Sequence, residues 1–177
     1  QVPYLKCTGC LMHNGFYLAY MTISSSMKSQ IQLLLSKYRG SSIYVTGHSL
    51  GGALAVIAAL DIKHTYDVPM KVYTYGQPRV GNGLYCKYFF SQIPDSYRVV
   101  HYADIVPHLP PIEMNSNTTK TKYGMLTNAN IQGMHSLVKI MYGLNPSNKF
   151  SPEDHDLRKY YMKLPVITTN LKREDSY

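Results

Sequence analysis

Residues His13 to Tyr38 carry apolar side chains at Phe16, Tyr20, Ile23, Met27, Ile31, Leu34 and Leu35. These recur at three- and four-residue steps, which predicts an amphipathic helix. Gly40-Ser41-Ser42 ends it. Ile43 to Thr46 is short, β-branched and aromatic, and reads as a buried strand. Ser49 to His64 is rich in Ala and Leu and predicts a helix. Met70 to Tyr75 is the next strand, 76–82 a loop rich in turn residues, Gly83 to Ile93 a helix, and Tyr97 to Tyr102 a third strand. Residues 113–133 are polar and predict a loop or a poor hairpin, and Asp154 to Lys163 a last helix. Alternating helices and strands predict an α/β fold with a parallel sheet.

Composition supports a globular chain. Of 177 residues, 45% are apolar, a share that excludes intrinsic disorder and collagen-like structure. No apolar run reaches the roughly 18 residues a membrane-spanning helix needs. The net charge is +8, but the lysines and arginines are scattered. The densest runs, Lys120-Thr121-Lys122 and Lys172-Arg173, are short, so the expectation is a basic surface with no nucleic-acid role. Asn117-Thr118-Thr119 fits the N-glycosylation pattern, which also arises often by chance.

Three cysteines limit the redox and metal options. Cys7 and Cys10 have C-x-x-C spacing, but a structural zinc site needs a second pair. A thioredoxin-like redox pair needs a preceding strand, and none is expected before Cys7. A local disulfide in a secreted protein is the favoured alternative. Cys86 lies in an apolar stretch and reads as a buried, inert thiol.

The strongest chemical signal is Gly47-His48-Ser49-Leu50-Gly51, a G-x-S-x-G pattern between a buried strand and an Ala-rich helix. That context predicts a nucleophile elbow. Small residues at Gly47 and Gly51 are expected to let strand and helix approach closely, holding the Ser49 oxygen clear of the backbone. The backbone N–H of Leu50, at the helix N-terminus, can donate to an oxyanion. Serine needs a histidine base and an orienting carboxylate, which follow it in the order Asp/Glu, then His. Asp104 directly follows a strand and so lies on the same sheet edge as Ser49. Asp61, Asp67 and Asp95 are expected to face elsewhere. His101 lies inside a strand and His108 is too near Asp104 in sequence. His135 and His155 remain as candidates.

Met12-His13-Asn14-Gly15-Phe16, Gly47 to Ala55, Tyr73 to Asn82 and Asp104 to Pro111 together resemble the class 3, fungal-type triacylglycerol lipases. This resemblance implies an α/β-hydrolase-type, mostly parallel sheet with flanking helices. It implies Ser49 as nucleophile, Asp104 as acid and His155 as base, since the family's histidine follows an Asp near the C-terminus, ahead of a tyrosine. Asp154-His155 and Tyr160-Tyr161 match, with a longer spacing than is usual. The family's secreted members carry a C-x-x-C before H-x-G-F, which supports a Cys7–Cys10 disulfide. The family also has an upstream region that supplies early strands, a lid and a second oxyanion donor. The expectation is therefore a single catalytic domain over 1–177, the C-terminal portion of such a lipase without its N-terminal strands and lid.

The expected activity is hydrolysis of lipid esters by a secreted monomer, with no metal or organic cofactor. A non-catalytic lipid-binding domain is the rival, and a redox role for Cys7 and Cys10 a distant third.

Overall fold

The computed structural model describes residues 1–101, 103–109, 141–142 and 151–162. The 113–133 segment, Asn117, His135, Tyr102, Pro110, Pro111 and both basic runs lie outside them.

The chain opens with a small antiparallel hairpin, β1 (Val2–Pro3) against β2 (Leu11–Met12). This corrects one expectation, because a two-residue strand does precede Cys7. The redox geometry still does not arise, since β1 leads into a hairpin turn and not into a helix. Cys7 and Cys10 form a disulfide across that turn, with Cα atoms 5.4 Å apart. Cys10 is buried beside Met12 in the core.

Helix α1 spans Asn14–Lys37, with Nδ1 of His13 accepting from the Phe16 N–H at its start. A buried stripe of Tyr20 and Ser24, flanked by partly buried Phe16, Met27 and Ile31, faces the core. Ile23 and Leu34 were expected on that face but stay 49% and 55% exposed. Among the described residues, the buried stripe is therefore narrower than the apolar pattern.

Strand β3 (Ile43–His48) runs through the single residue Ser49 into α2 (Leu50–Tyr66). It is not the buried strand expected: none of its residues is buried and Tyr44 is 64% exposed, because β3 is the edge of the described sheet. Helix α2 is buried over most of its length, from Gly52 to Ile62, between α1 and the sheet. Its Ala residues allow that close packing. The Tyr20 hydroxyl donates to Asp61 at 2.5 Å, and Lys28 pairs with Asp61 at 3.0 Å. Asp61 thus joins the two helices.

Strands β4 (Met70–Tyr75), β5 (Ser96–His101) and β6 (Met141–Tyr142) extend the sheet in the order β3-β4-β5-β6, all parallel. Helix α3 (Gly83–Gln92) lies between β4 and β5 in sequence. Asn82 caps it by accepting from the Tyr85 N–H at 2.9 Å, and its amide donates to the Gly9 carbonyl at 2.8 Å, tying the hairpin to the helix. Cys86 is a free thiol of intermediate exposure, not the buried one expected, and partial desolvation pushes it up, which leaves it poorly reactive.

The predicted last helix is in fact two pieces. Pro152–His155 forms a 3-10 turn and α4 spans Leu157–Met162. Asp156 separates them in an extended conformation, and its carboxylate accepts from the Arg158 N–H at 2.9 Å. That is an N-cap, which starts a new helix and does not continue the turn.

Candidate active site

Parallel strands carry their carboxyl ends to one edge, and the candidate residues meet there. Ser49 sits in the turn between β3 and α2 at φ 55°, ψ −127°, a conformation that side chains other than glycine rarely adopt. Its N–H donates to the Tyr75 carbonyl at 3.0 Å, and its carbonyl accepts from the Gly52 N–H at 2.9 Å. The strain is held by hydrogen bonds to both neighbouring elements.

The expected roles of the glycines need revision. A Cβ on Gly47 would run into the Gly51 carbonyl, so Gly47 is required for the close approach. At Gly51 itself a Cβ would meet nothing within 4 Å. Gly52 is the second tight position, where a Cβ would lie 3.0 Å from Cβ of Gln77 and 3.1 Å from the Gly47 carbonyl. It is the Gly51 main chain, not room for its side chain, that Gly47 accommodates.

Asp104 follows β5 and is fully buried. Its Oδ1 accepts from the Val106 N–H at 2.8 Å. Its Oδ2 accepts from Nδ1 of His155 at 2.8 Å and from the Tyr160 hydroxyl. Three donors satisfy a carboxylate that would otherwise be costly to bury. Since Nδ1 of His155 donates to a carboxylate, Nε2 of the neutral ring is left to accept. That nitrogen lies 2.7 Å from Oγ of Ser49. A continuous chain therefore runs from Ser49 through His155 to Asp104, joining residues 106 and 51 positions apart.

The segment bearing His155 is fastened beside the Asp104 turn. Ser151 pairs with Asp104 in a parallel bridge, and its N–H donates to the Ala103 carbonyl at 2.7 Å. Pro152 then starts the turn that ends at His155. A groove of about 560 Å³ opens beside it, lined by His48, Glu153, His155, Asp156, Leu157 and Lys159 among others.

Leu50 is the first residue of α2. Its N–H is one of those that find no acceptor inside a helix, so it is available beside Ser49. Among the described residues no His/Cys/Asp/Glu group could hold a metal ion. No helix among them is long and apolar enough to cross a membrane.

Three residues at the site carried no specific signal in the sequence. The sequence marks Tyr160 only as a tyrosine after the histidine, yet it is 2% exposed and bonds Asp104. Gly76 has φ 55°, and a Cβ there would lie 2.8 Å from Oδ2 of Asp104, 2.9 Å from the Tyr160 hydroxyl and 3.0 Å from Cε1 of His155. A glycine following a strand was the available hint. His48 stacks on His155, with ring centroids 4.7 Å apart. It was hidden as the variable position of G-x-S-x-G.

The chain resembles known lipases in sequence and in fold. The chain is 37% identical over 115 residues to a secreted mono- and diacylglycerol lipase 1 of Fusarium solani, covering 65% of this chain and 34% of that one. Lipase II from Rhizopus niveus matches in structure with a TM-score of 0.60 and 36% identity, over 62% of this chain and 43% of that one. A triacylglycerol lipase described as having a serine-protease triad as its catalytic centre matches with a TM-score of 0.59 and 37% identity, over 62% and 43%. The chain thus spans less than half the length of these relatives. The likeness confirms an α/β-hydrolase-type arrangement of parallel sheet and flanking helices. Residues 1–114 match the family model Lipase (class 3), a stretch that includes Ser49 and Asp104, and the chain belongs to that family.

Proposed function

We propose that the protein is a serine ester hydrolase acting on lipids, with acylglycerols as the preferred class. The observation that carries this is the pair of hydrogen bonds from His155, 2.7 Å to Ser49 and 2.8 Å to Asp104. His155 removes the proton from Ser49 as Oγ attacks the ester carbonyl. Negative charge collects on the carbonyl oxygen, where the Leu50 N–H stabilises it. His155 then protonates the departing alcohol and leaves an acyl group on Ser49. Water, activated by the same imidazole, releases the fatty acid. Asp104 holds the ring in the required tautomer and stabilises the imidazolium.

Relatives named mono- and diacylglycerol lipases support this class of substrate. Their names also support secretion, in keeping with the Cys7–Cys10 disulfide. We infer a single catalytic unit that works as a monomer at a lipid–water interface, without a metal or organic cofactor.

The test is hydrolysis of a short-chain nitrophenyl ester by the 177-residue chain beside its Ser49→Ala variant. Activity in the parent and none in the variant is the expected result. Equal activity in both would exclude Ser49 as nucleophile. Binding of lipid vesicles with no hydrolysis by either would favour a lipid-binding role.

A further inference from the structure

His48 ends β3, one residue before Ser49. Its Nε2 lies 2.9 Å from the main-chain oxygen of His155. A carbonyl oxygen can only accept, so Nε2 carries the proton and donates. The two imidazole rings also stack, 4.7 Å between centroids and 27° between planes. The edge of the Tyr160 ring completes the contact, 5.8 Å from the His48 ring at 72°. One side chain therefore holds the His155 residue at both its backbone and its ring.

We propose that His48 is a positioning residue for the histidine base. It ties the main chain of His155 to the strand that delivers Ser49, so that nucleophile and base keep one separation. The inference rests on the serine-hydrolase reading above. Its physical basis is the way His155 is supported. The segment is fastened at Ser151, on the Asp104 side of the site. The hydrogen bond from His48 is its main-chain tie on the Ser49 side among the described residues. Without it the turn can pivot about Ser151 and carry Nε2 away from Oγ. A misplacement of about 1 Å costs on the order of 100-fold in rate. Because His155 serves both formation and breakdown of the acyl-enzyme, both steps slow together.

Two variants separate the donor from the ring. His48→Gln keeps an N–H donor and loses the ring, while His48→Phe keeps a stacking ring and loses the donor. Pre-steady-state kinetics on a soluble nitrophenyl ester should give a loss of about tenfold or more in His48→Phe. Acylation and deacylation should fall by the same factor, with KM within about twofold. His48→Gln should recover most of the loss, which a merely structural defect would not allow. Wild-type rates in His48→Phe, or equal losses in both variants, would overturn the proposal. A second measurement needs no turnover. Nitrogen-15 histidine NMR of the folded 177-residue chain, assigned with His48→Phe, should find a bonded proton on Nε2 of His48. A bare Nε2 would overturn the proposal by itself. Ester hydrolysis that survives Ser49→Ala would instead overturn the proposed function and leave the NMR result on His48 standing.

Discussion

Tyr160 donates its hydroxyl to Oδ2 of Asp104, the same oxygen that receives Nδ1–H of His155. Burial first, and then the hydrogen bond to Asp104, push the phenol well above its ordinary value, so it remains a donor at any working pH. Tyr160→Phe removes the donor and keeps the ring. A hydrogen bond to a charged group is worth about 1.5–3 kcal/mol, so kcat should fall roughly ten- to a hundredfold, with little change in KM. Steady-state kinetics on a soluble ester measures this. An unchanged kcat would mean that His155 and Val106 alone suffice to hold Asp104.

Glycine substitutions should rank in a way the motif does not suggest. Gly47→Ala and Gly76→Ala should abolish hydrolysis. The first forces strand and helix apart, and the second pushes against Asp104, Tyr160 and His155 from a positive-φ position. Gly51→Ala should fold and hydrolyse esters at near the parent rate, because its Cβ meets open space. If Gly51→Ala fails as Gly47→Ala does, the assignment of the tight positions is wrong.

Ser49 sits at φ 55°, ψ −127°, a conformation that costs of order 1–3 kcal/mol for a side chain other than glycine. Ser49→Gly should therefore raise stability by about 1 kcal/mol while removing activity. Ser49→Ala keeps the strain and should lack that gain. Urea midpoints of the three chains decide it, and a less stable Ser49→Gly would argue against strain at the elbow.

Stability should fall on mild acidification. Burial, with Lys6 and Lys63 adding to it, holds His64 below its ordinary value of 6.5. Burial, Arg79 and Arg98 do the same to His108. The unfolded chain therefore takes up protons before the folded one does. Stability present above about pH 6.5 is lost as pH falls through that value towards the lower folded-state values. Urea unfolding at about pH 7.5 and pH 5.5 should show the decline, and His64→Gln should reduce it. An equal decline in that variant would remove His64 as a contributor.

The Cys7–Cys10 bridge has a sequence separation of only 3. A loop that short removes little unfolded-state entropy, about 2 kcal/mol on the chain-entropy model. Replacing both cysteines by serine should cost no more than this and leave hydrolysis intact. Abolished hydrolysis in a folded double variant would reopen a chemical role for the pair.

Much of this protein was legible in local sequence. The strand Met70–Tyr75 was read to the residue, and the helices Asn14–Lys37 and Gly83–Gln92 to within a residue or two. These elements follow from periodicity, turn residues and a short strand feeding an Ala-rich helix, all of which act over a few neighbours. Ser49 and Asp104 were singled out the same way, because each comes within three residues of the end of a strand of a parallel sheet and such strands end at one edge. His155 was different, since the residues left it open against His135 and a family resemblance was needed to choose. It reaches Ser49 on a segment anchored by the pairing of Ser151 with Asp104, 47 residues apart, and no local pattern encodes a contact at that distance. The same limit hid Tyr160, His48 and the requirement at Gly76. Each is defined by what it touches across the fold, and long-range packing alone sets those contacts. Sequence thus determined which elements form and where the chain turns at Ser49. Tertiary structure decided which histidine meets it and which side chains hold that histidine in place.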